Sequence, residues 1–246
     1  MGNSKYRLPY DLHMHSCLSP CGDMDMTPNN IAGMCAVKEL KIIALTDHNT
    51  GRNVPALLKT ASEYGLIVIP GMELTTMEEV HVVCLFPEAE NLLEFDRFVY
   101  EHLIKVRNRP EFFGEQVQMD ENDEPVAEEP YLLINATDIT FDGVHDLVQS
   151  FGGLAIPAHL DKSTTSLLSN LGFIPPDSKF TCAEIKDPER IDALKEEHPY
   201  LQGCRIITDS DAHNLADIAE PVRFLEFDTE EPSPAEILRL LETPDR

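Results

Sequence analysis

Apolar and polar positions along the chain alternate between short continuous apolar runs and longer amphipathic stretches. Runs at 41–46, 66–70, 81–86, 154–158, 180–185 and 205–208 read as strands, and 41–46 has the short, continuous apolar character of a strand covered on both faces of a parallel sheet. Between them, helical spacing predicts helices over 28–39, 54–64, 88–106, 140–151, 163–171, 188–197 and 234–241. Thr27-Pro28 supplies an N-cap followed by proline at the first helical position, and Gly152-Gly153 closes a helix at its far end. An apolar lead-in from the amino terminus ends in Tyr10-Asp11-Leu12-His13-Met14-His15-Ser16, read as the first strand, and 224–227 adds a late one. Strand and helix in alternation predict an α/β fold on a parallel sheet of about seven strands.

One segment breaks the rhythm. Residues 110–130 are acidic, with Gln116–Met119 and Pro125-Val126 flanking Asp120–Glu124, which predicts an inserted β-hairpin with a polar tip. A solvated excursion is the expectation there, rather than a lid. No linker or repeat requires a second domain, so 1–246 is read as a single domain.

Composition narrows the picture. A hydrophobic fraction of 42% supports a substantial core. No apolar run approaches the ~20 residues that span a bilayer, and Met1 to Arg7 lacks the apolar segment of a secretory leader; the expected compartment is the cytoplasm. Six scattered cysteines give no disulfide framework, and Cys17 and Cys21 have no second pair to complete a thiolate metal site. Net charge is −25, from 19 Lys+Arg against 44 Asp+Glu. Such a balance argues against gripping a long nucleic-acid backbone, yet permits a small anionic substrate, because repulsion is screened over ~8 Å.

The candidate chemistry lies in the histidines. Of nine, His13, His15, His48, His81, His159 and His213 fall at or beside predicted strand ends, whereas His102, His145 and His198 lie in or just after helices. Alternate residues of a strand share a face, so His13 and His15 point the same way, and Asp211 and His213 repeat that spacing. In a parallel barrel the carboxyl ends of the strands gather on one face, which carries the site. His81 begins its run and joins only if its strand enters from the near end. Glu73 ends a predicted strand where it can bridge two ions. Asp47 is placed to ligate or to hold the ring of His48 from behind, and Asp23 in the first loop is a further carboxylate. Imidazole and carboxylate without thiolate suit zinc, manganese or iron rather than magnesium or calcium. The set exceeds the needs of one ion and predicts two or three. Arg52, after His48, and Lys162, after His159, are placed to meet a substrate phosphate.

The motifs Asp11-Leu12-His13-Met14-His15-Ser16, Leu45-Thr46-Asp47-His48, Gly71-Met72-Glu73, Pro157-Ala158-His159 and Ser210-Asp211-Ala212-His213 resemble, in order, those of the PHP family, named for polymerase and histidinol phosphatase domains. The resemblance implies a distorted seven-stranded (β/α) barrel and a two- or three-metal centre hydrolysing phosphoesters. It makes His13, His15, His48, Glu73, His159, Asp211 and His213 metal ligands, and His81 is similar to the family's histidine after the glutamate. Asp209 departs from the glycine of many members. The loop ligand, a histidine in some, falls here to Asp23, Asp25 or a cysteine.

The expected activity is metal-assisted hydrolysis of a small phosphorylated metabolite or nucleotide, with Glu73, His159 and Asp211 as catalytic residues. The alternatives are an exonuclease on short oligonucleotides, C–N hydrolysis of the amidohydrolase kind, and a non-catalytic scaffold or regulatory module.

Overall fold

The computed structural model describes residues 5–244. In chain order the elements are β1 (Tyr6–Asp11), α1 (Pro28–Val37), β2 (Ile42–Leu45), α2 (Val54–Glu63), β3 (Ile67–Thr75), β4 (His81–Leu85), α3 (Ala89–His102), α4 (Pro110–Phe113), β5 (Val117–Met119), β6 (Pro125–Glu128), α5 (Phe141–Ser150), β7 (Leu154–Pro157), α6 (Leu167–Leu171), β8 (Cys182–Glu184), α7 (Ile191–Glu197), β9 (Arg205–Ile207), β10 (Phe224–Phe227) and α8 (Pro234–Leu241).

The sheet is mixed, not parallel throughout. β1, β2 and β3 run parallel, but β4 is antiparallel to both β3 and β7, and β10 lies antiparallel beside β1. The short 76–80 connection explains the reversal, since a parallel return needs a crossover of a dozen or more residues. β8 and β9 form a separate parallel pair. Past the strands, Leu160 N–H donates to the Glu184 carbonyl and His15 N–H to that of Ala212, curling the whole into a half-barrel.

β3 is longer than its apolar run. Residues 67–70 pair with β2 and residues 71–75 with β4, so the strand changes partner at Pro70-Gly71. Glycine is required there, because a Cβ on Gly71 would sit 2.8 Å from Thr46 Cγ2 and 3.1 Å from the Leu45 carbonyl oxygen. Glu73 therefore lies inside a strand rather than at its end.

Two other boundaries moved. β1 stops at Asp11, and Leu12 N–H donates to Asp209 Oδ1 instead of a ladder partner. His13 and His15 follow in extended chain, held by a parallel bridge between Met14 and Ala212. The predicted 88–106 helix ends at His102, and the chain continues extended, with Leu103 bridged to Thr137 and Arg107 to Tyr131. Apolar Ile104 and Val106, 49% exposed each, fit helical spacing but line no core.

β5 and β6 pair antiparallel, and the pair is no free excursion. At its tip, Asp123 accepts from Thr27 Oγ1 and from the Asn29 N–H at the start of α1. Along β5, Val117 N–H donates to the Cys17 carbonyl and Met119 N–H to Asn53 Oδ1.

The continuous apolar runs are explained by two cores. Ile42, Ala44, Ile69, Val83 and Ile156 pack inside the curl with Ile237 and Leu241 of α8, while Ile43, Leu45, Val68, Val82 and Cys84 pack outward against the helices. All six cysteines are free thiols. No helix among the described residues is long and apolar enough to cross a membrane.

Candidate metal centre

The rim of the curl collects the histidines. His13 and His15 follow β1, His48 follows β2, His159 follows β7, and Asp211 and His213 follow β9. His81 opens β4, and because that strand is reversed its first residue meets the ends of the parallel ones. Three of the seven non-glycine residues with positive φ among the described residues lie here: His159 (φ 31°), Asp211 (φ 52°) and Asn49 (φ 51°). Non-glycine residues hold such values where the surroundings over-determine them, commonly at functional sites.

Glu73, 1% exposed, is the hub. Its Oε1 lies 3.2 Å from His13 Nε2, 3.0 Å from His81 Nδ1 and 3.2 Å from His159 Nε2. Its Oε2 lies 3.4 Å from His15 Nε2 and 3.0 Å from His48 Nδ1. Asp211 Oδ1 is 3.6 Å from His13 Nε2 and 3.4 Å from His15 Nε2. Three overlapping groups bring donor atoms within 4.8 Å of one another: His13, His15 and Glu73; His48, Glu73 and His81; His15, His48 and His213.

The residues fit metal ions on a specific observation. Glu73 Oε2 and His48 Nδ1 are buried and close, yet neither makes a hydrogen bond. Buried polar atoms are rarely left so, and a shared cation satisfies both. The nitrogens of His13 and His15 likewise face each other at 3.2 Å, which suits two lone pairs directed at ions.

Supporting groups orient those lone pairs. His13 Nδ1–H donates to Glu184 Oε2 at 2.9 Å, and the same oxygen accepts the His159 N–H. His15 Nδ1–H donates to Ser19 Oγ, which in turn donates to Asp47 Oδ1 at 2.7 Å and accepts the His48 N–H. Both arrangements leave Nε2 as the free nitrogen, the tautomer a ligating histidine needs. Asp47 thus supports the ring of His15, through Ser19, and not that of His48. Behind them Asp11 accepts from Ser210 and from the Ala219 N–H.

Charge follows from the crowding. Burial favours neutral Glu73, but His81, His13 and His48 outweigh it and hold the carboxylate well below the usual range. Burial opposes charging His13, yet Glu184, Glu73 and Asp211 hold its pKa well above the ordinary value. Burial and the neighbouring His48 push His15 well down, and burial lowers His48 to about 4 despite Glu73. Burial pushes Asp209 well up, reinforced by Glu184.

The other expected residues divide. Lys162 reaches Asp211 Oδ2 at 2.8 Å, at the mouth. Arg52 does not face the centre: its Nη2 is 2.7 Å from Glu129 Oε2 and its guanidinium lies over the Tyr100 ring. Asp23 is exposed, its carboxylate accepts the Asp25 N–H, and it lies outside the three groups, although its own N–H donates to the His213 carbonyl. Glu184, Ser19 and Lys186, whose Nζ is 3.5 Å from Asp211 Oδ2, were not anticipated. Glu184 had a usable signal, an acid inside an apolar run; Lys186 had none.

A stretch of 90 residues is 32% identical to the 5'-3' exoribonuclease Rnm of Salmonella typhimurium, taking in 35% of this chain and 30% of that protein. The fold matches the lesion-specific endonuclease PfuEndoQ from Pyrococcus furiosus with a TM-score of 0.65 at 18% identity, over 96% of this chain and 56% of that one. This chain therefore accounts for only part of either protein. A candidate metal-dependent phosphoesterase from Bifidobacterium adolescentis matches over nearly its full length, 98% of this chain and 99% of that one, with a TM-score of 0.62 at 15% identity. Residues 11–162 match the PHP domain model, which covers every motif from His13 to Lys162, and the chain belongs to the PHP domain family of hydrolases.

Proposed function

We propose that this protein hydrolyses phosphate esters with two or three divalent ions, zinc, manganese or iron, held by His13, His15, His48, Glu73, His81, His159, Asp211 and His213. The observation that carries this reading is the placement of imidazole nitrogens against both oxygens of Glu73, the arrangement of a carboxylate shared between two ions. Bound there, such ions would polarise a phosphoryl oxygen and supply a water of lowered pKa for in-line attack. The chain's own part is positional. Glu73 offers one oxygen to each side, Glu184 and Ser19 fix the rings of His13 and His15, and Lys162 presents its ammonium at the mouth to a substrate phosphate. Asp23 and Arg52 have no part at the centre. The supporting frame is a ring of seven strands, β1 to β4 and β7 to β9.

A small phosphorylated metabolite or nucleotide is the first substrate class. A second reading, exonucleolytic cleavage of short oligonucleotides, is favoured by the likeness to Rnm and by the endonuclease Q fold. A panel of sugar phosphates, mononucleotides and two- to six-nucleotide strands, assayed with each metal, separates the two. Metal-stimulated release from one class is expected. No turnover of any phosphoester with any of the three metals overturns the reading and leaves C–N hydrolysis or a scaffold role.

A further inference from the structure

The strongly acidic chain gathers cations and aromatic rings at one place outside the centre. Between Lys59 and Lys162 the sequence holds four cations, and Lys105, Arg107 and Arg109 among them occupy alternate positions of one extended stretch without an acid between them. Lys105 Nζ stands 4.6 Å from the Tyr100 ring centroid and 6.0 Å from that of Tyr131. Arg107 lies over Tyr131 at 5.6 Å, Arg109 over Phe112 at 4.7 Å, and Arg52 over Tyr100 at 5.5 Å. Such contacts recur about once per 70–80 residues in proteins, so five on this one surface mark a built feature.

The surface begins beside the centre. Arg52 lies four positions after His48. Asn49, next to that histidine, donates to the Leu133 and Asn135 carbonyls at 2.7 and 2.8 Å, tying the strip to the rim. Glu129, the acid within it, is buried and satisfied by Arg52 and the Tyr100 hydroxyl. Glu115 and Glu128 line a groove of about 280 Å³ that Arg107 shares.

We propose that the surface formed by Arg52, Tyr100, Lys105, Tyr131 and Arg107 binds the single-stranded part of an oligonucleotide whose scissile phosphodiester enters the metal centre. It rests on the oligonucleotide reading of that centre. Cations take the phosphates and ring faces take the bases, the pairing that binds single strands without reading sequence. Phe112, 71% exposed beside Arg109, extends the strip.

The test is the metal-loaded protein and its Lys105→Ala/Arg107→Ala variant on RNA and DNA hexanucleotides and on bis(p-nitrophenyl) phosphate, with hexanucleotide affinity measured by anisotropy in the Glu73→Gln background. The expected result is a hexanucleotide KM and Kd raised about tenfold and a salt slope reduced by about 1.4. Turnover of the bis-ester stays unchanged, and the tighter hexanucleotide identifies RNA or DNA. Cleavage with KM and Kd unaltered by the variant overturns the surface and leaves the nuclease reading standing. Binding that the variant loses, without cleavage by the wild type, supports the surface and overturns the nuclease reading. Phe112→Ala, at an exposed ring, guards against misfolding: weaker hexanucleotide binding with an unchanged melting temperature supports the surface, and unchanged binding counts against its extension.

Discussion

Around Glu73, five imidazole nitrogens lie within 3.4 Å of one carboxylate, on side chains almost wholly removed from water. On the neighbouring strip, Lys105, Arg107 and Arg109 stand exposed over aromatic faces. The two regions sit side by side and are built on opposite principles. The centre concentrates polar groups at low dielectric, where each depends on the others and small displacements are costly. The strip keeps its charges solvated, where they are individually weak, salt-sensitive and replaceable. The proposed chemistry falls to the first region and the proposed capture of substrate to the second.

That contrast breaks most sharply at the hub. Glu73→Gln keeps the shape and removes the shared charge, and should lower kcat for any phosphoester by ~10³-fold or more, since such a clamp is worth several kcal/mol. A loss below tenfold removes Glu73 from the bridging position.

Burial also gives the centre a pH signature that the strip lacks. His48 is depressed from an ordinary 6.5 to about 4. As pH falls from 6.5 toward 4, the unfolded chain takes a proton that the folded chain refuses, so metal-free protein loses stability over that window. The loss attributable to His48 is on the order of 3 kcal/mol. Urea unfolding at pH 7, 5.5 and 4.5, compared with His48→Asn, should show the wild type losing more; equal slopes would place His48 in a more open environment.

Glu184 tests whether supporting groups matter as much as ligands. Glu184→Gln leaves His13 in place without its charged anchor and should weaken metal affinity by ~10–100-fold, read by chelator competition. Lys162→Ala, beside Asp211, should raise KM by about tenfold with a smaller change in kcat, as lost phosphate binding does. A kcat effect as large as the KM effect would place Lys162 in the chemistry instead.

Much of the centre was legible because its histidines and carboxylates lie at fixed spacing beside apolar runs: His13/His15, His48 and Asp211/His213 fall at or just past the ends of predicted strands. The direction of β4 was not legible, because periodicity carries no orientation, and with it the reason His81 reaches the rim. Glu73 read as a strand end because Pro70-Gly71 imitates a stop; the strand passes through it by changing partner. Glu184 and Ser19 act through contacts 171 and 4 residues away in sequence, and only the first follows from strand packing. Arg52 lies away from the histidines for a different reason. Its proximity to His48 in sequence is real, but Glu129, from 77 residues away, claims its guanidinium. Beyond Arg52 the strip was not legible, since its rings and cations come from separate segments of an acidic chain.

The most direct test of the central claim is the metal content of the protein purified without chelator, or reloaded after stripping, measured by mass spectrometry beside phosphoester turnover. Two to three equivalents of zinc, manganese or iron per chain, falling together with activity in Glu73→Gln, is the predicted result. A chain that binds no transition metal after reloading, or turns over phosphoesters at full rate without one, would contradict it.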